Sequence, residues 1–178
     1  SMDIVNNALI PALDKIGAEF EKGTLFLPQL IMSAGVAQAA FEVIRKHMVM
    51  SDNAPVSKGK IVIATVKGDV HDIGKNIVKV LLENYGYDVI DLGKDVEYQA
   101  VVDAIRDNDV KLCGLSALMT TTLVSMKETI ALIRENNLDC KVMVGGAVLT
   151  PEYAKEIDAD FYAKDAKESV DIAKRVLG

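Results

Sequence analysis

Strand-like and helix-like segments alternate from residue 60 to the end of the chain, and this alternation constrains the fold more than any other feature. Short apolar or β-branched runs predict strands at Lys60–Val66, Asp88–Leu92, Lys111–Ala117, Cys140–Val144 and Asp160–Ala163. The longer stretches between and after them predict helices at Ile73–Tyr85, Glu97–Asn108, Leu123–Asn136, Pro151–Ile157 and Lys167–Leu177. This pattern predicts an α/β fold, a flavodoxin-like five-stranded parallel sheet of strand order 2-1-3-4-5 with helices on both faces.

The first 50 residues have helical spacing instead. One apolar face is predicted to run along a single helix through Ile4, Leu9, Leu13, Ile16 and Phe20. Gly23 is suited to end that helix, and Pro28 to begin a second one whose apolar face carries Leu30, Ala34, Ala37, Phe41, Ile44 and Met48. Two helices make a thin core, so we predict a partial helical bundle at 1–50 that needs partner helices, a linker at 51–59 and the α/β domain at 60–178.

Composition excludes several classes of function. The net charge of −6 argues against a nucleic-acid binder, and no apolar run is long enough for a membrane span. Cys113 and Cys140 lie in apolar runs, which predicts buried free thiols and a cytoplasmic protein. The nitrogen and sulfur ligands that a zinc site needs are scattered along the chain. Any metal would therefore take about one ligand from the protein and the rest from another molecule.

The loop after the first predicted strand carries the most distinctive residues. His71 stands at the carboxyl end of that strand, where α/β sheets bind their ligands, with Asp69 and Asp72 beside it. Asp69 can accept a hydrogen bond from one ring nitrogen and leave the other free for a metal. From these residues alone, a lone histidine in such a loop is more often solvated or a helix cap, and Asp72 could simply cap the next helix.

Three motifs give the chain a family resemblance. Asp69–Gly74 has the pattern D-x-H-x-x-G, Ser116-Ala117-Leu118 follows the third predicted strand, and Gly145-Gly146 follows the fourth. In this order they resemble the cobalamin-binding domains of methionine synthase and of corrinoid methyl-carrier proteins. The stretch Gly23–Gln29 resembles the start of the last helix in the four-helix cap of that family. The resemblance therefore implies a cobalamin-binding domain at 60–178, preceded by half a cap.

The resemblance also implies roles for single residues. His71 would be the lower axial ligand of a cobalt ion held by the corrin, and Asp69 and Thr122 would extend it into a proton relay, although Thr122 stands where methionine synthase has serine. The cofactor and its buried nucleotide tail would contact Gly68, Val70, Asp72, Ile73, Gly74, Ser116, Leu118, Thr120, Gly145, Gly146 and Ala166. The upper corrin face would be covered by Phe20, Phe26, Leu27 and Leu30. Each group has a plainer alternative: helix capping for Ser116 and the threonines, a strand-ending turn for the glycines, and helix packing for the cap residues.

The function implied is that of a methyl carrier that cycles between methylcobalamin and cob(I)alamin. It would need methyl-donor and methyl-acceptor methyltransferase domains or subunits and a reductive reactivation partner. The apparent cut within the cap favours the methionine synthase type, which moves methyl from methyltetrahydrofolate to homocysteine. The alternatives are a stand-alone corrinoid protein for methanol, methylamine or aryl-ether demethylation, a cobalamin-binding sensor, the small subunit of an adenosylcobalamin mutase, and a flavodoxin-like electron carrier.

Overall fold

The N-terminal part of the chain is helical. The computed structural model describes residues 4–26, 28–30, 32–33, 35–37, 39–40, 43 and 57–178, so most of the predicted linker and His47 lie outside the described residues. Helix α1 spans Ile10–Glu21 and follows a π-helical turn at Val5–Leu9. The predicted single helix is thus interrupted, because Pro11 in the first turn of α1 has no N–H to donate. Gly23 is left-handed (φ +72°) after α1, as expected of a residue that ends a helix.

A second helical stretch follows. The described residues between 28 and 43 are helical, and Leu30 and Ala37 on its predicted apolar face are buried. Ala34, Phe41, Ile44 and Met48 of that face lie outside the described residues. Leu13 and Ala37 belong to the same buried cluster as Ile63 in the sheet. The N-terminal helices therefore pack against one face of the α/β domain.

A five-stranded parallel sheet forms the centre of the α/β domain, in the order β2-β1-β3-β4-β5. Its strands are β1 Lys60–Thr65, β2 Asp88–Asp91, β3 Leu112–Ser116, β4 Lys141–Gly145 and β5 Phe161–Tyr162. The predicted fold class and strand order are confirmed, and every strand boundary lies within one residue of the prediction. The register pairs Thr65 with Ser116 and Ser116 with Gly145, so the ends of β1, β3 and β4 meet at one edge.

Helices cover both faces of the sheet. They are α2 Ile73–Asn84, α3 Tyr98–Asp107, α4 Leu123–Glu135, α5 Pro151–Glu156 and α6 Ala166–Leu177. Successive side chains of β1 point to opposite faces, so Ile61 and Ile63 pack with α2 and α6, whereas Val62 and Ala64 pack with α3, α4 and α5. Burying one such aliphatic side chain contributes about 1.5–3 kcal/mol, and the two cores hold the edge that carries the motifs in place. Among the described residues, no helix has the length and apolar character of a membrane span.

Candidate functional site

Asp69 is the centre of a hydrogen-bonded cluster at this edge of the sheet. Its carboxylate is fully buried. One oxygen, Oδ1, accepts from the His71 amide at 3.0 Å and lies 2.8 Å from His71 Nδ1. The other, Oδ2, accepts from the Leu118 amide at 2.7 Å, the Met119 amide at 3.3 Å and the Thr122 hydroxyl at 2.9 Å. A single carboxylate thus ties the loop after β1 to the loop after β3.

The surroundings of Asp69 keep it ionised. Burial alone would raise the pKa of this carboxyl, because a charge is costly in an apolar environment. The amides of His71 and Leu118, the His71 ring and the Thr122 hydroxyl all stabilise the anion, and together they hold the pKa of Asp69 well below its ordinary value. Asp69 is therefore a permanent acceptor at neutral pH, able to orient a neutral imidazole.

His71 is held by one ring nitrogen and presents the other. Its side chain is 46% exposed, while Nδ1 faces the buried carboxylate. With Nδ1–H donating to Asp69, the lone pair of the neutral ring is on Nε2, the form in which histidine binds a metal. Asp72 precedes α2 but makes no side-chain cap to it. The helix-capping alternative for Asp72 thus has no support in the geometry.

Thr122 is used by the cluster and not by the helix that follows it. It ends a 3₁₀ turn, Thr120–Thr122, and its hydroxyl is within hydrogen-bond distance of Asp69 Oδ2 and of the Met119 carbonyl, at 2.8 Å. It makes no side-chain cap to α4. The threonine therefore occupies the predicted end of the Asp69–His71 pair, whereas Thr120 in the same turn is exposed.

A cavity of about 500 Å³ opens between the ends of the central strands and helices α2 and α6. Six of the predicted contact residues line it: Phe20, Gly74, Ser116, Gly145, Gly146 and Ala166. Much of the remaining wall is apolar. It is formed by side chains of the sheet and of helix α2: Ile63, Met143, Tyr162, Ile77 and Val78. A cavity of this size and composition is typical of a site for a small organic ligand.

The glycine pair keeps backbone segments close together at the cavity. A Cβ on Gly146 would lie 1.8 Å from the carbonyl oxygen of Ala117, and Gly146 has a φ of +140°. A Cβ on Gly145 would lie 3.1 Å from the carbonyl oxygen of Ala163. Side chains at these positions would push the cavity wall apart, so the close approach explains both glycines. The residues present thus fit a cofactor that would take one nitrogen ligand from His71 and place a narrow part of its structure in the cavity.

The other predicted contact residues lie around this centre or away from it. Val70, Ile73 and Leu118 are apolar and exposed next to the Asp69–His71 cluster. Gly68, which is left-handed, begins the same loop. Of the predicted cap residues, Phe26 is 68% exposed, Leu30 is buried, and neither is among the described residues that line the cavity. Leu27 lies outside the described residues.

Residues that the sequence analysis did not single out also contribute. Lys75 is buried on the cavity wall, and its ammonium donates to Asp91 at 2.5 Å and to Asn76 at 2.9 Å. Lys75 could have been found from the sequence, because it directly follows the D-x-H-x-x-G motif. Asp91 is distant in sequence from Lys75, and no local pattern indicates it. Burial raises the pKa of Asp91, whereas the hydrogen bond from Lys75 lowers it, and the pKa is lowered overall.

The cysteines take no part in this site. Cys113 and Cys140 are buried and free, as predicted. Burial raises the pKa of Cys113 well above its ordinary value and that of Cys140 to about 12, so both stay protonated thiols. Within the described ranges, no group of three or more histidine, cysteine, aspartate or glutamate side chains could hold a metal ion.

Comparison with known proteins gives matches along nearly the whole chain. Models described as B12 binding domains match residues 59–171 and residues 1–45. Dimethylamine corrinoid protein 1 of Methanosarcina acetivorans is 41% identical over 177 residues, which are 98% of this chain and 83% of that protein. Corrinoid protein DSY3155 of Desulfitobacterium hafniense is 39% identical over 184 residues, covering 99% of this chain and 83% of that protein.

Solved structures agree with these matches. The methanol:cobalamin methyltransferase complex MtaBC from Methanosarcina barkeri superposes with a TM-score of 0.83 at 32% identity, over 98% of this chain and 67% of that chain. A cobalamin-binding protein from Desulfitobacterium hafniense gives 0.80 at 34% identity, over 93% of this chain and 78% of that chain. Both superpositions extend over more than nine-tenths of this chain, so they include residues of the N-terminal part as well as of the α/β domain.

Proposed function

We propose, since the chain belongs to the family of B12-binding corrinoid proteins, that it is the methyl-carrying subunit of a corrinoid-dependent methyltransferase system. Its cofactor is cobalamin, as the sequence predicts. The observation that carries the proposal is the fixed Asp69–His71 pair, which leaves one imidazole nitrogen free at the edge of the sheet where the cavity also opens. When bound, cobalamin supplies a cobalt ion that accepts a methyl group from one substrate and gives it to another.

In this proposal each residue of the cluster has a distinct task. His71 would bind cobalt through Nε2, and the buried Asp69 carboxylate orients the ring through its contact with Nδ1. The Thr122 hydroxyl donates to the second carboxylate oxygen. When the ring binds no metal, the same hydrogen-bonded group would hold a proton at His71 Nε2. The protein thus contributes ligation, orientation and storage of a proton.

The cavity is the proposed site for the nucleotide tail that His71 displaces. Gly145 and Gly146 keep its wall free of side chains, and Ser116 offers a hydroxyl there. Phe20 of α1 lines the same cavity, so this N-terminal helix contacts the proposed site directly. We keep the division into a cap at 1–50, a linker at 51–59 and a cobalamin-binding domain at 60–178 as part of the proposal, with Phe26, Leu27 and Leu30 as further cap residues.

The comparisons favour a stand-alone corrinoid protein over the methionine synthase type. One relative is named as a dimethylamine corrinoid protein and another as a corrinoid protein, and a similar solved structure is a methanol:cobalamin methyltransferase complex. The three sequence motifs resemble both groups, so the motifs alone do not distinguish a stand-alone corrinoid protein from the methionine synthase type. We therefore propose that the methyl donor is a methylamine or methanol, and that a separate methyltransferase subunit delivers the methyl group.

A reconstituted methyl-transfer assay tests the proposal. The chain loaded with reduced cobalamin is mixed with the methyltransferase subunit of a dimethylamine, monomethylamine or methanol system and with its substrate. Formation of the methyl–cobalt bond, followed by visible absorption, is the expected result with at least one of these subunits, and His71→Ala should slow it. Methylation only by a methyltetrahydrofolate-dependent domain would instead support the methionine synthase type. No methylation by any partner would contradict a carrier function and favour a sensor.

A further inference from the structure

The loop that joins β2 to α3 runs beside the loop that carries His71. Val96 forms an isolated parallel bridge with Val66, and its amide donates to the Thr65 carbonyl at 3.2 Å. One residue further along each loop, Lys67 pairs with Glu97 at 2.8 Å. These contacts hold residues 93–97 alongside residues 65–69, at the start of the D-x-H-x-x-G motif.

Asp95 makes two hydrogen bonds across this pair of loops. Its carboxylate oxygen Oδ1 accepts from the Gly68 amide at 2.7 Å, and its own amide donates to the Asp69 carbonyl at 3.0 Å. Asp95 is left-handed, with a φ of +53°, an uncommon conformation that aspartate, asparagine and glycine tolerate best. This conformation lets its backbone and side chain bind two consecutive residues of the neighbouring loop.

We propose that Asp95 is a positioning residue for the metal-binding histidine, acting through Asp69. Gly68 is free of steric restriction and has a φ of +83°, so the backbone at this point can rotate unless it is held. Asp95 holds both the amide before Asp69 and the carbonyl of Asp69 itself. The Asp69 carboxylate is thereby aimed at His71 Nδ1. The inference rests on the proposed function, in which His71 Nε2 is the cobalt ligand.

Three substitutions distinguish the effect of the Asp95 carboxylate acceptor from the effect of its left-handed backbone conformation. Asp95→Gly removes the carboxylate and keeps the left-handed conformation without strain, and the backbone bond to the Asp69 carbonyl is available in every variant. Asp95→Asn keeps an acceptor oxygen and also tolerates the conformation. Asp109→Gly is the matched control: Asp109 is also left-handed, its side chain is 87% exposed, and it pairs with Lys111 just before β3, at the opposite edge of the sheet.

Each variant is loaded with hydroxocobalamin, and visible absorption gives the ratio of histidine-coordinated to uncoordinated cofactor. Asp95→Gly is expected to lower this ratio roughly tenfold, the lower end of the effect of removing a group that orients a metal ligand. Asp95→Asn should stay within about twofold of the wild type, because it restores the acceptor. A ratio for Asp95→Gly within twofold of the wild type would overturn the inference, and so would an equal loss in Asp95→Asn.

A measurement without cofactor keeps this inference apart from the proposed function. Nitrogen-15 NMR of His71 in the cofactor-free chain reports which ring nitrogen carries the proton. The expected result is a proton on Nδ1 in the wild type and in Asp109→Gly, and a mixture of the two tautomers in Asp95→Gly. An unchanged tautomer in Asp95→Gly would overturn the positioning role. A wild-type chain with the expected tautomer but no histidine-coordinated cofactor would contradict the proposed function alone.

Discussion

Asp69→Asn is expected to destabilise the cofactor-free chain by about 3 kcal/mol at neutral pH. Asparagine keeps an acceptor oxygen at the position of Oδ1. It places an NH₂ donor at the position of Oδ2, which accepts hydrogen bonds in the wild type. The Leu118 amide at 2.7 Å and the Met119 amide at 3.3 Å then lose their acceptor, whereas the Thr122 hydroxyl can turn to the Met119 carbonyl at 2.8 Å. An amide that faces this buried position without an acceptor costs about 1–3 kcal/mol, and replacing charged by neutral hydrogen bonds adds about 1 kcal/mol.

The penalty should depend on pH in a defined direction. The pKa of Asp69 is lowered in the folded chain, so its stabilising contribution is fully present above the unfolded-state pKa of about 3.9. That contribution is lost as the pH falls below this value towards the folded-state pKa. Asparagine does not titrate. The stability difference between wild type and variant is therefore largest near neutral pH and shrinks below about pH 4.

Urea unfolding followed by circular dichroism measures this difference at neutral pH and at about pH 3.5. Asp139→Asn is the matched control, because the Asp139 side chain is 92% exposed and its ion pair with Lys111 is on the surface. It should change the free energy of unfolding by less than about 0.5 kcal/mol. A cost for Asp69→Asn below about 1 kcal/mol at pH 7, or a cost that does not fall at low pH, would refute the reasoning.

Two further predictions concern the cavity wall. Gly146→Ala should lower the free energy of unfolding by about 4 kcal/mol, because its Cβ would collide with the Ala117 carbonyl and its φ is unfavourable. Gly93→Ala, with a φ of +88° and open space around it, should cost only about 1–2 kcal/mol, and equal costs would argue against a tight wall. Lys75→Met should cost about 2–3 kcal/mol in urea unfolding by leaving the partly buried Asp91 with a weaker partner. Lys79→Met should cost less than about 1 kcal/mol, because Lys79 is partly exposed and 3.4 Å from Asp91, and a reversed order would contradict this assignment.

The architecture was predictable because each element carries a local signal. The alternation of Ile61, Val62, Ile63 and Ala64 between two cores is a feature of a strand buried on both faces, and it shows directly in the sequence as a continuous apolar run. The π-helical turn before α1 was missed, although Pro11 is a signal for a break. The regular apolar spacing through this stretch predicted one continuous helix, although Pro11 has no N–H to donate.

The centre of the site was predictable only in part. Asp69, His71 and Thr122 were found from the motif and the resemblance, and the structure brings them together. The Leu118 and Met119 amides, Asp95 and the Lys75–Asp91 pair join residues from separate loops, and backbone amides or exposed aspartates have no distinctive pattern in a sequence. The choice of methyl-transfer system was not predictable from the motifs, since they resemble both methionine synthase and the corrinoid methyl-carrier proteins.

The most direct test of the central claim is the electron paramagnetic resonance spectrum of the cobalt(II) form of cobalamin bound to this chain. The sequence contains only two histidines, so nitrogen-15 labelling of histidine marks His71 and His47 alone. Coordination by His71 predicts that labelling changes the nitrogen splitting from a triplet to a doublet, that His71→Ala abolishes this response, and that His47→Gln retains it. A nitrogen splitting that stays a triplet after histidine labelling would show that the coordinating nitrogen belongs to the cofactor itself. This result would contradict coordination by His71.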